Sequence, residues 1–383
     1  MKIRHISYTA ITFERSDKAA LLDKILVLTI FNSIQGNKFN KENIMSHYFK
    51  TISSIAFFSI ICIFTQKIIA AEIGYLSNED GDIELYITIN NHKKRTQITH
   101  NVFDDMEPCS GPEGNWLAVI TRSQTSKFIQ VLDKQGNKIK KIEPEVGFPS
   151  SLACFSDKDE IAYSVNSNTQ HTIFITSIKS TNLVPIYTSP NTILDLKINQ
   201  ADSHLAFSEQ VGRTSVLHIF DLAKKQKQTY FDKGKYVVAE YDWAPNNNNM
   251  MVSVKHQKQF DLWEINLSDK AQRLWTELPT IDTSPKYSHD GNKIAWLSNR
   301  VDGTRLQLFV SDLRAPKPIA LTESGIEVRD PVWDPTSTAL LYSAYRNNQF
   351  GLYQLSLSSN IESQLYPVEG KFQIMPFFLT NDR

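Results

Sequence analysis

Short apolar runs recur along this chain, each about five residues long and preceded by a polar turn. Runs of this length that are rich in β-branched and aromatic residues and bounded by turn formers predict β-strands rather than helices. The clearest copies lie at 160–164, 204–208 and 293–298, and weaker copies lie at 73–77, 116–120, 249–253 and 339–343.

The runs return at an almost constant interval. When one central residue in each run is taken as a common point, the spacings are 44, 44, 44, 45, 44 and 46 residues. A period of this size built from strands is typical of a β-propeller, in which each repeat forms one blade. The sequence therefore predicts an all-β, seven-bladed β-propeller of four-stranded blades. The common points are Gly74, Ala118, Ala162, Ala206, Met251, Ala295 and Leu341.

The chain termini complement each other. The first repeat begins at Ile73 with a second strand and has no inner strand before it, whereas 372–379 has the pattern of an inner strand with no repeat after it. We therefore expect the C-terminal strand to complete the first blade. Closing the ring removes exposed sheet edges, so we expect deletion of about the last dozen residues to be severely destabilising.

Length and charge limit the other possibilities. Residues 72–383 suffice for seven blades and leave no room for another domain, and 41 basic residues balance 41 acidic ones. A balanced chain lacks the basic surface that nucleic-acid binding requires, so we expect no nucleic-acid partner.

The segment before the repeats predicts export. Residues 52–65 form an apolar run that is short for a membrane span, with basic residues before it and Ala70 and Ala71 after it. We interpret 45–71 as a signal peptide cleaved near Ala70 or Ala71, with Met45 as its start and 1–44 as an upstream extension that is not a domain. Cleavage would place the propeller in a periplasm or outside the cell. An uncleaved signal anchor holding the propeller outside the cytoplasm, and a cytoplasmic protein, remain alternatives.

Two cysteines, Cys109 and Cys154, fall on inner strands of consecutive predicted blades. They could pair in an oxidising compartment. However, Cys109 lies nine residues before Ala118 and Cys154 eight before Ala162, so they should point to opposite faces of their strands. We therefore expect two buried free thiols.

The best-preserved repeat, 282–322, carries a recognisable series of motifs. It contains Pro-Lys-Tyr and an Asp-Gly turn, then Lys-Ile-Ala-Trp, Ser-Asn-Arg, a second Asp-Gly and Leu-Phe-Val-Ser-Asp-Leu. This series resembles the TolB-like β-propeller repeat, and the resemblance covers essentially all of 73–383. It implies a propeller fold and leaves function open, because similar repeats occur in TolB, in propellers before prolyl-peptidase domains, in oligogalacturonate lyases and in CadC-like regulators.

This sequence lacks features that those relatives have, and the differences limit which of their functions it can share. TolB carries an α/β domain before six blades, the peptidases need a Gly-x-Ser-x-Gly elbow, and the regulators need a winged helix. This sequence has seven predicted blades, no such elbow and too few residues before the apolar run. We therefore expect a stand-alone exported propeller that is not TolB itself.

Catalytic chemistry has little support in the pattern. The histidines after residue 72 are scattered and form no His-x-His pair, so no metal site is predicted. The segment 78–84 is rich in acids like a calcium loop, but it occupies a hairpin position and lacks EF-hand spacing, so we interpret it as a turn. No catalytic residues, metal or cofactor are predicted.

A sharper feature appears when the residues that begin each inner strand are aligned. Four of these seven positions are acidic, and because inner strands line the channel, the acids should gather near one mouth. The aligned residues are Glu107, Ser151, Asp195, Glu240, Ser284, Asp330 and Met375. We predict that Glu107, Asp195, Glu240 and Asp330, with Arg329 nearby to neutralise Asp330, bind a partner. The alternative is that each acid is solvated separately or accepts backbone hydrogen bonds.

These observations predict a non-enzymatic binding or scaffold module that recognises a protein or peptide at one channel mouth. The first alternative is an enzyme acting on a glycan or lactone-like substrate. The second is a membrane-anchored sensor domain, which requires that the apolar segment is not cleaved.

Overall fold

A computed structural model describes residues 72–89 and 94–379. Apart from one 3₁₀ turn, Pro112–Gly114, all the regular structure in these residues is β-strand. The strands form seven four-stranded antiparallel sheets in a ring, which confirms the predicted seven-bladed propeller. No helix in the described ranges is long and apolar enough to span a bilayer. The signal peptide predicted at 45–71 and the extension at 1–44 lie outside these ranges.

Each blade runs from an inner strand beside the channel to an outer strand at the rim of the ring. Blade 1 consists of β28 (Gln373–Phe378), β1 (Ile73–Ser77), β2 (Glu84–Ile89) and β3 (Lys94–Gln97). Blade 2 consists of β4 (Asp104–Ser110), β5 (Trp116–Arg122), β6 (Lys127–Asp133) and β7 (Lys138–Ile142). Blade 3 consists of β8 (Phe148–Cys154), β9 (Glu160–Asn166), β10 (His171–Ser177) and β11 (Val184–Ser189).

The remaining four blades follow in the same order. Blade 4 consists of β12 (Ile193–Ile198), β13 (His204–Val211), β14 (Thr214–Asp221) and β15 (Gln226–Tyr230). Blade 5 consists of β16 (Tyr236–Trp243), β17 (Asn249–His256), β18 (Gln259–Asn266) and β19 (Gln272–Leu274). Blade 6 consists of β20 (Asp282–Tyr287), β21 (Lys293–Ser298), β22 (Gln307–Asp312) and β23 (Ile319–Ala320). Blade 7 consists of β24 (Glu327–Trp333), β25 (Ala339–Arg346), β26 (Gln349–Ser356) and β27 (Glu362–Leu365).

The apolar runs of the sequence are the second strands of the blades. In β9, for example, five consecutive residues from Ile161 are buried, because both faces of the strand are covered by neighbouring blades. The buried apolar side chains of the described residues form seven clusters, one between each pair of adjacent blades. The core is therefore divided among the blade interfaces, and each blade depends on both of its neighbours.

The C-terminal strand closes the ring as predicted. β28 pairs antiparallel with β1, with Ser77 opposite Gln373 and Ile73 opposite Phe378. The backbone N–H of Leu379 donates to the Glu72 carbonyl at 2.9 Å. Gly74 is required at this seam, because a Cβ atom there would lie 2.2 Å from the ring of Phe377.

The expectation of two free thiols was wrong. Cys109 of β4 and Cys154 of β8 form a disulfide whose Cα atoms are 5.8 Å apart. The register does place them on opposite strand faces, since Cys109 lies opposite Ala118 and Cys154 lies opposite Ile161. In a ring of stacked blades, however, one face of each blade packs against the opposite face of the next. Opposite faces on consecutive blades are therefore the arrangement that brings the two sulfurs together.

Candidate functional site

Every blade carries a β-bulge in its inner strand, and in five of the seven blades the bulge lies at the same level. One strand of each inner pair carries an extra residue there, and four of these bulges contain a proline. Proline has no N–H to donate, so an unpaired bulge position tolerates it inside a sheet. The four prolines are Pro108, Pro285, Pro331 and Pro376.

In those five blades the residue that begins the bulge is the one that the sequence alignment selected, whereas Ser151 follows its bulge and Glu240 is the second residue of its bulge. None of the seven aligned residues is glycine, and yet five of them have a left-handed backbone. Such a conformation is strained for a residue with a Cβ atom, and it turns the side chain away from the regular alternation of the strand. Its repetition around the ring shows that the bulges are a built feature of the channel wall. The five residues are Glu107 (φ 52°), Asp195 (53°), Ser284 (50°), Asp330 (52°) and Met375 (52°).

Charged side chains from five different blades converge at this belt of bulges. We call them the lumen cluster, and they include the four predicted acids and three residues that the sequence analysis missed. Glu107 of blade 2 interacts electrostatically with Asp195 and Lys197 of blade 4, and Asp330 of blade 7 interacts with Glu240 of blade 5. Interactions that skip a blade show that the groups face one another across the channel. The members are Glu107, Asp195, Lys197, Glu240, Asp242, Lys286 and Asp330.

Burial dominates the protonation chemistry of the acids. It raises the pKa of the Asp195 carboxyl, and the neighbouring Lys197 ammonium only partly opposes this effect. Burial also raises the pKa of Asp330, although the N–H of Met375 (3.1 Å) and the hydroxyl of Ser343 (3.2 Å) donate to its carboxylate. One oxygen of Asp195, Oδ2, is shielded from solvent and accepts no hydrogen bond. The acids are therefore only partly neutralised by their surroundings.

Two lysines make the channel a mixed-charge site rather than a purely acidic ring. Lys197 Nζ lies 4.0 Å from Asp195 Oδ1 and donates to the Tyr241 carbonyl at 2.7 Å. Carboxylates, Asp195 foremost, raise the pKa of Lys197 against the opposing effect of burial. The charge of Lys197 in turn lowers the pKa of Lys286. Both lysines follow their bulge residue by two positions, so aligning that second position would have found them.

Aromatic side chains hold the backbone that carries these lysines. The indole N–H of Trp243 donates to the Lys197 carbonyl at 3.1 Å, and that of Trp333 donates to the Lys286 carbonyl at 2.9 Å. The Tyr241 hydroxyl donates to the Asp195 carbonyl. In each case one blade fixes the inner strand of the preceding blade, so the lumen cluster is held rigidly before any partner arrives.

The predicted role of Arg329 in neutralising Asp330 was wrong. Arg329 Nη2 lies 3.1 Å from Glu327 Oε1, and its guanidinium lies 4.8 Å from the centre of the Phe350 ring. Arg329 is exposed, and its contacts are with Glu327 and Phe350 of its own blade rather than with Asp330. The predicted set therefore divides into four acids in the lumen and one arginine outside it.

The other sequence candidates lie away from the lumen cluster. Oxygen atoms of Asp80, Asp82 and Glu84 come within 4.8 Å of one another in the β1–β2 hairpin. Two of these three carboxylates accept hydrogen bonds from other side chains or the backbone. Gln97 donates to Asp80, and Asn101 donates to Glu84 through its backbone N–H (2.7 Å) and its side-chain amide (3.2 Å). The interpretation of this segment as a turn stays a prediction.

Replacing Lys197 by Met should reveal the electrostatic coupling in the lumen. Asp195 and Lys197 are 30% and 25% exposed, so we expect a loss of about 2 kcal/mol in unfolding free energy, between the values for surface and buried pairs. Because the folded-state pKa of Asp195 is raised, its ionisation lowers stability as pH rises, and losing Lys197 enlarges that cost. Urea unfolding should therefore show a small difference from the parent protein near about pH 4 and a larger one near about pH 8. Adding Asp195→Asn should reduce the pH dependence, because Asp195 is the strongest of the carboxylates that act on Lys197. A pH-independent loss would contradict the coupling.

Comparison with known proteins agrees with this geometry. The profile of the TolB beta propeller domain matches residues 179–378, which are 200 of the 383 residues. The chain belongs to the TolB β-propeller family. The match begins in blade 3 and ends with β28, so it includes the closing strand.

Individual relatives of this TolB-type propeller are distant. Dipeptidyl-peptidase 5 of Porphyromonas gingivalis is 24% identical over 158 residues, which are 38% of this chain and 23% of the peptidase. TolB from Acinetobacter baumannii superposes with a TM-score of 0.53 at 13% identity, covering 80% of this chain and 66% of TolB. An oligogalacturonate lyase in complex with manganese gives 0.62 at 11% identity, covering 75% of this chain and 86% of the lyase. The chain thus spans about a quarter of the peptidase and just under two thirds of TolB. These likenesses establish the fold alone.

Proposed function

We propose that this TolB-type propeller is an exported binding module that recognises a protein or peptide partner at one channel mouth. The observation that carries the proposal is the lumen cluster, in which charged groups from five blades converge on a rigid belt of bulges. A binding site is favoured where polar groups converge in a concavity and are already rigid, because few side chains then lose conformational freedom on association.

The charge balance of the cluster favours a cationic group in the partner. Five carboxylates face two ammonium groups, and an oxygen of Asp195 has no donor. A lysine or arginine side chain, or the amino terminus of a peptide, would supply donors and reduce the repulsion among the acids.

Exposed apolar side chains surround the same mouth. Each lies just before the bulge of its inner strand, and therefore near the end of the channel where the inner strands begin. The three are Phe148, Leu194 and Ile281, which are 49%, 40% and 37% exposed. Apolar contacts beside a charged centre suit a polypeptide with both basic and apolar residues better than a small polar ligand.

Export is supported by the disulfide as well as by the N-terminal sequence. Cys109 and Cys154 are joined, and such bonds persist in oxidising compartments. A periplasmic or secreted location, with the signal peptide at 45–71 removed, therefore fits both observations.

Site-specific photocrosslinking would test the proposed mouth. A photoreactive phenylalanine analogue replaces Phe148, or as a control Ile361, which is 65% exposed in the β26–β27 loop at the opposite end of the blades. We expect a discrete adduct from position 148 and none from 361. Glu240→Lys should reduce the adduct at least about tenfold, because reversing one lumen charge repels a cationic partner. Equal adducts from both positions, or no effect of the charge reversal, would contradict the proposal.

A further inference from the structure

A second polar constellation lies outside the channel, across three strands of blade 4. We call it the relay, and its members are Glu209 on β13, His218 on β14 and Thr229 on β15. Thr229 lies directly opposite His218, and His218 lies opposite Phe207, two residues before Glu209, so all three side chains share one sheet face. Their spacing along the chain has no motif, which is why the sequence analysis saw only a scattered histidine.

The contacts run in one line from the interior to the surface. Glu209 and His218 are buried, with 6% and 4% exposure, whereas Thr229 is exposed. His218 Nε2 lies 3.0 Å from Glu209 Oε2, and His218 Nδ1 lies 2.9 Å from Thr229 Oγ1. A hydroxyl, an imidazole and a carboxylate linked in this order form the arrangement that activates a nucleophile in acyl transfer.

The surroundings set the protonation states that this chemistry needs. Burial alone would raise the pKa of Glu209, but donors on Tyr187, Asn191 and Ser189 outweigh burial and lower it to about 2. Burial lowers the pKa of His218, so the imidazole is neutral near pH 7. Its Nε2–H then donates to the Glu209 carboxylate, and its Nδ1 lone pair accepts the hydroxyl proton of Thr229.

Cationic groups stand beside the threonine. Lys227 lies two residues earlier on the same strand, and its ammonium donates to the Tyr187 hydroxyl at 2.9 Å. Thr229, Lys227 and Lys270 are among the residues that line a surface cavity of about 420 Å³. Lysines that line the same cavity as Thr229 attract an anionic substrate to it.

We propose that Thr229 is the nucleophile, and His218 the general base, of an acyl-transfer site that hydrolyses small acyl esters bearing an anionic group. Thr229 Oγ1 attacks the ester carbonyl carbon while its proton passes to His218 Nδ1. The tetrahedral intermediate collapses, the ester C–O bond breaks, and the leaving alcohol takes the proton from His218. Water then attacks the threonyl ester and gives a proton to His218. The second tetrahedral intermediate collapses, the bond between the acyl carbon and Thr229 Oγ1 breaks, and Thr229 takes the proton from His218 as the carboxylic acid leaves. Glu209 positions the imidazole and stabilises its charged form.

A purely structural interpretation explains less of this geometry. Fixing blade 3 against blade 4 requires only the buried contacts of Glu209 with its partners in the interface. It does not require that the remaining imidazole nitrogen accept an exposed hydroxyl on the outermost strand. Blade 3 provides the comparison, because Thr188 is also exposed on an outermost strand, and its hydroxyl meets only the Thr172 hydroxyl, at 3.3 Å.

Ester hydrolysis by the full chain tests the proposal, with p-nitrophenyl succinate and p-nitrophenyl acetate as substrates. We expect turnover above buffer, faster for the anionic succinate, and at least about a hundredfold loss of kcat in Thr229→Val. Thr188→Val is the matched control and should keep the full rate. The rate should rise with pH through a pKa below that of a free histidine, since only neutral His218 accepts the proton.

Covalent labelling separates this site from adventitious lysine acylation. A fluorophosphonate probe should add to the tryptic peptide containing Thr229 in the parent protein and in Thr188→Val, but not in Thr229→Val. Thermal unfolding of Thr188→Val should match the parent protein. Thr229→Val should stay folded but unfold at a somewhat lower temperature, because the buried His218 Nδ1 loses its partner. Equal turnover in Thr229→Val and the parent protein, or no turnover above buffer, would overturn the proposal. Neither result depends on the channel mouth or its partner.

Discussion

Removal of β28 should prevent formation of a stable ring, although it costs the chain fewer than a dozen described residues. A chain ending at Lys371 loses the β1–β28 ladder and the contacts of β28 with blade 7. Pro376 and Leu379 are buried, and Phe377 packs on Gly74. Each large apolar side chain that loses its buried site costs about 1.5–3 kcal/mol. Their sum reaches the whole stability of a typical domain, about 5–15 kcal/mol.

The measurement is cooperative unfolding followed by circular dichroism, with size-exclusion chromatography of the same samples. We expect the chain ending at Lys371 to show no sharp transition and to aggregate, because the freed edge of β1 presents unpaired backbone groups. The matched control ends at Leu379, which removes only 380–383 and keeps all of β28. The control should unfold like the full chain. A sharp, unshifted transition in the shorter truncation would mean that the ring does not depend on this closure.

Much of the fold could be predicted because every blade of a propeller needs the same local pattern of apolar and polar residues. Each second strand needs apolar residues on both faces, and that requirement repeats in every blade, so runs such as 160–164 recur with a fixed period. The closing strand was predictable for the same reason, since 372–379 has the pattern of an inner strand. The acids of the channel also followed from alignment, because each lies two residues before the inner-strand residue that pairs with the common point of its blade.

The features that could not be predicted from the sequence depend on contacts between separate strands. Lys197 and Lys286 were missed because only one position of each inner strand was aligned, whereas both lysines lie two residues after that position. The relay was missed because Glu209, His218 and Thr229 become neighbours only through the register of three strands. Contacts set by register and blade stacking require coordinates, whereas patterns within one strand do not.

The disulfide is the second feature with a large expected effect on stability. Cys109 and Cys154 are 45 residues apart in the chain and join the inner strands of blades 2 and 3. Closing a loop of that length removes conformational freedom from the unfolded chain, and the chain-entropy relation gives about 4 kcal/mol. We therefore expect Cys109→Ala/Cys154→Ala to lower the unfolding free energy by about 2–4 kcal/mol relative to the oxidised protein.

Urea unfolding with and without reductant measures this effect directly. Reductant should destabilise the parent protein by about as much as the double substitution does, whereas the double variant should not respond to it. Cys109 lies two positions after the bulge residue Glu107, so the bond also anchors one wall of the lumen cluster. Photocrosslinking at position 148 should therefore weaken in the double variant even under conditions where it remains folded. Identical unfolding curves for the oxidised and reduced parent protein would show that blade packing alone holds blades 2 and 3 together.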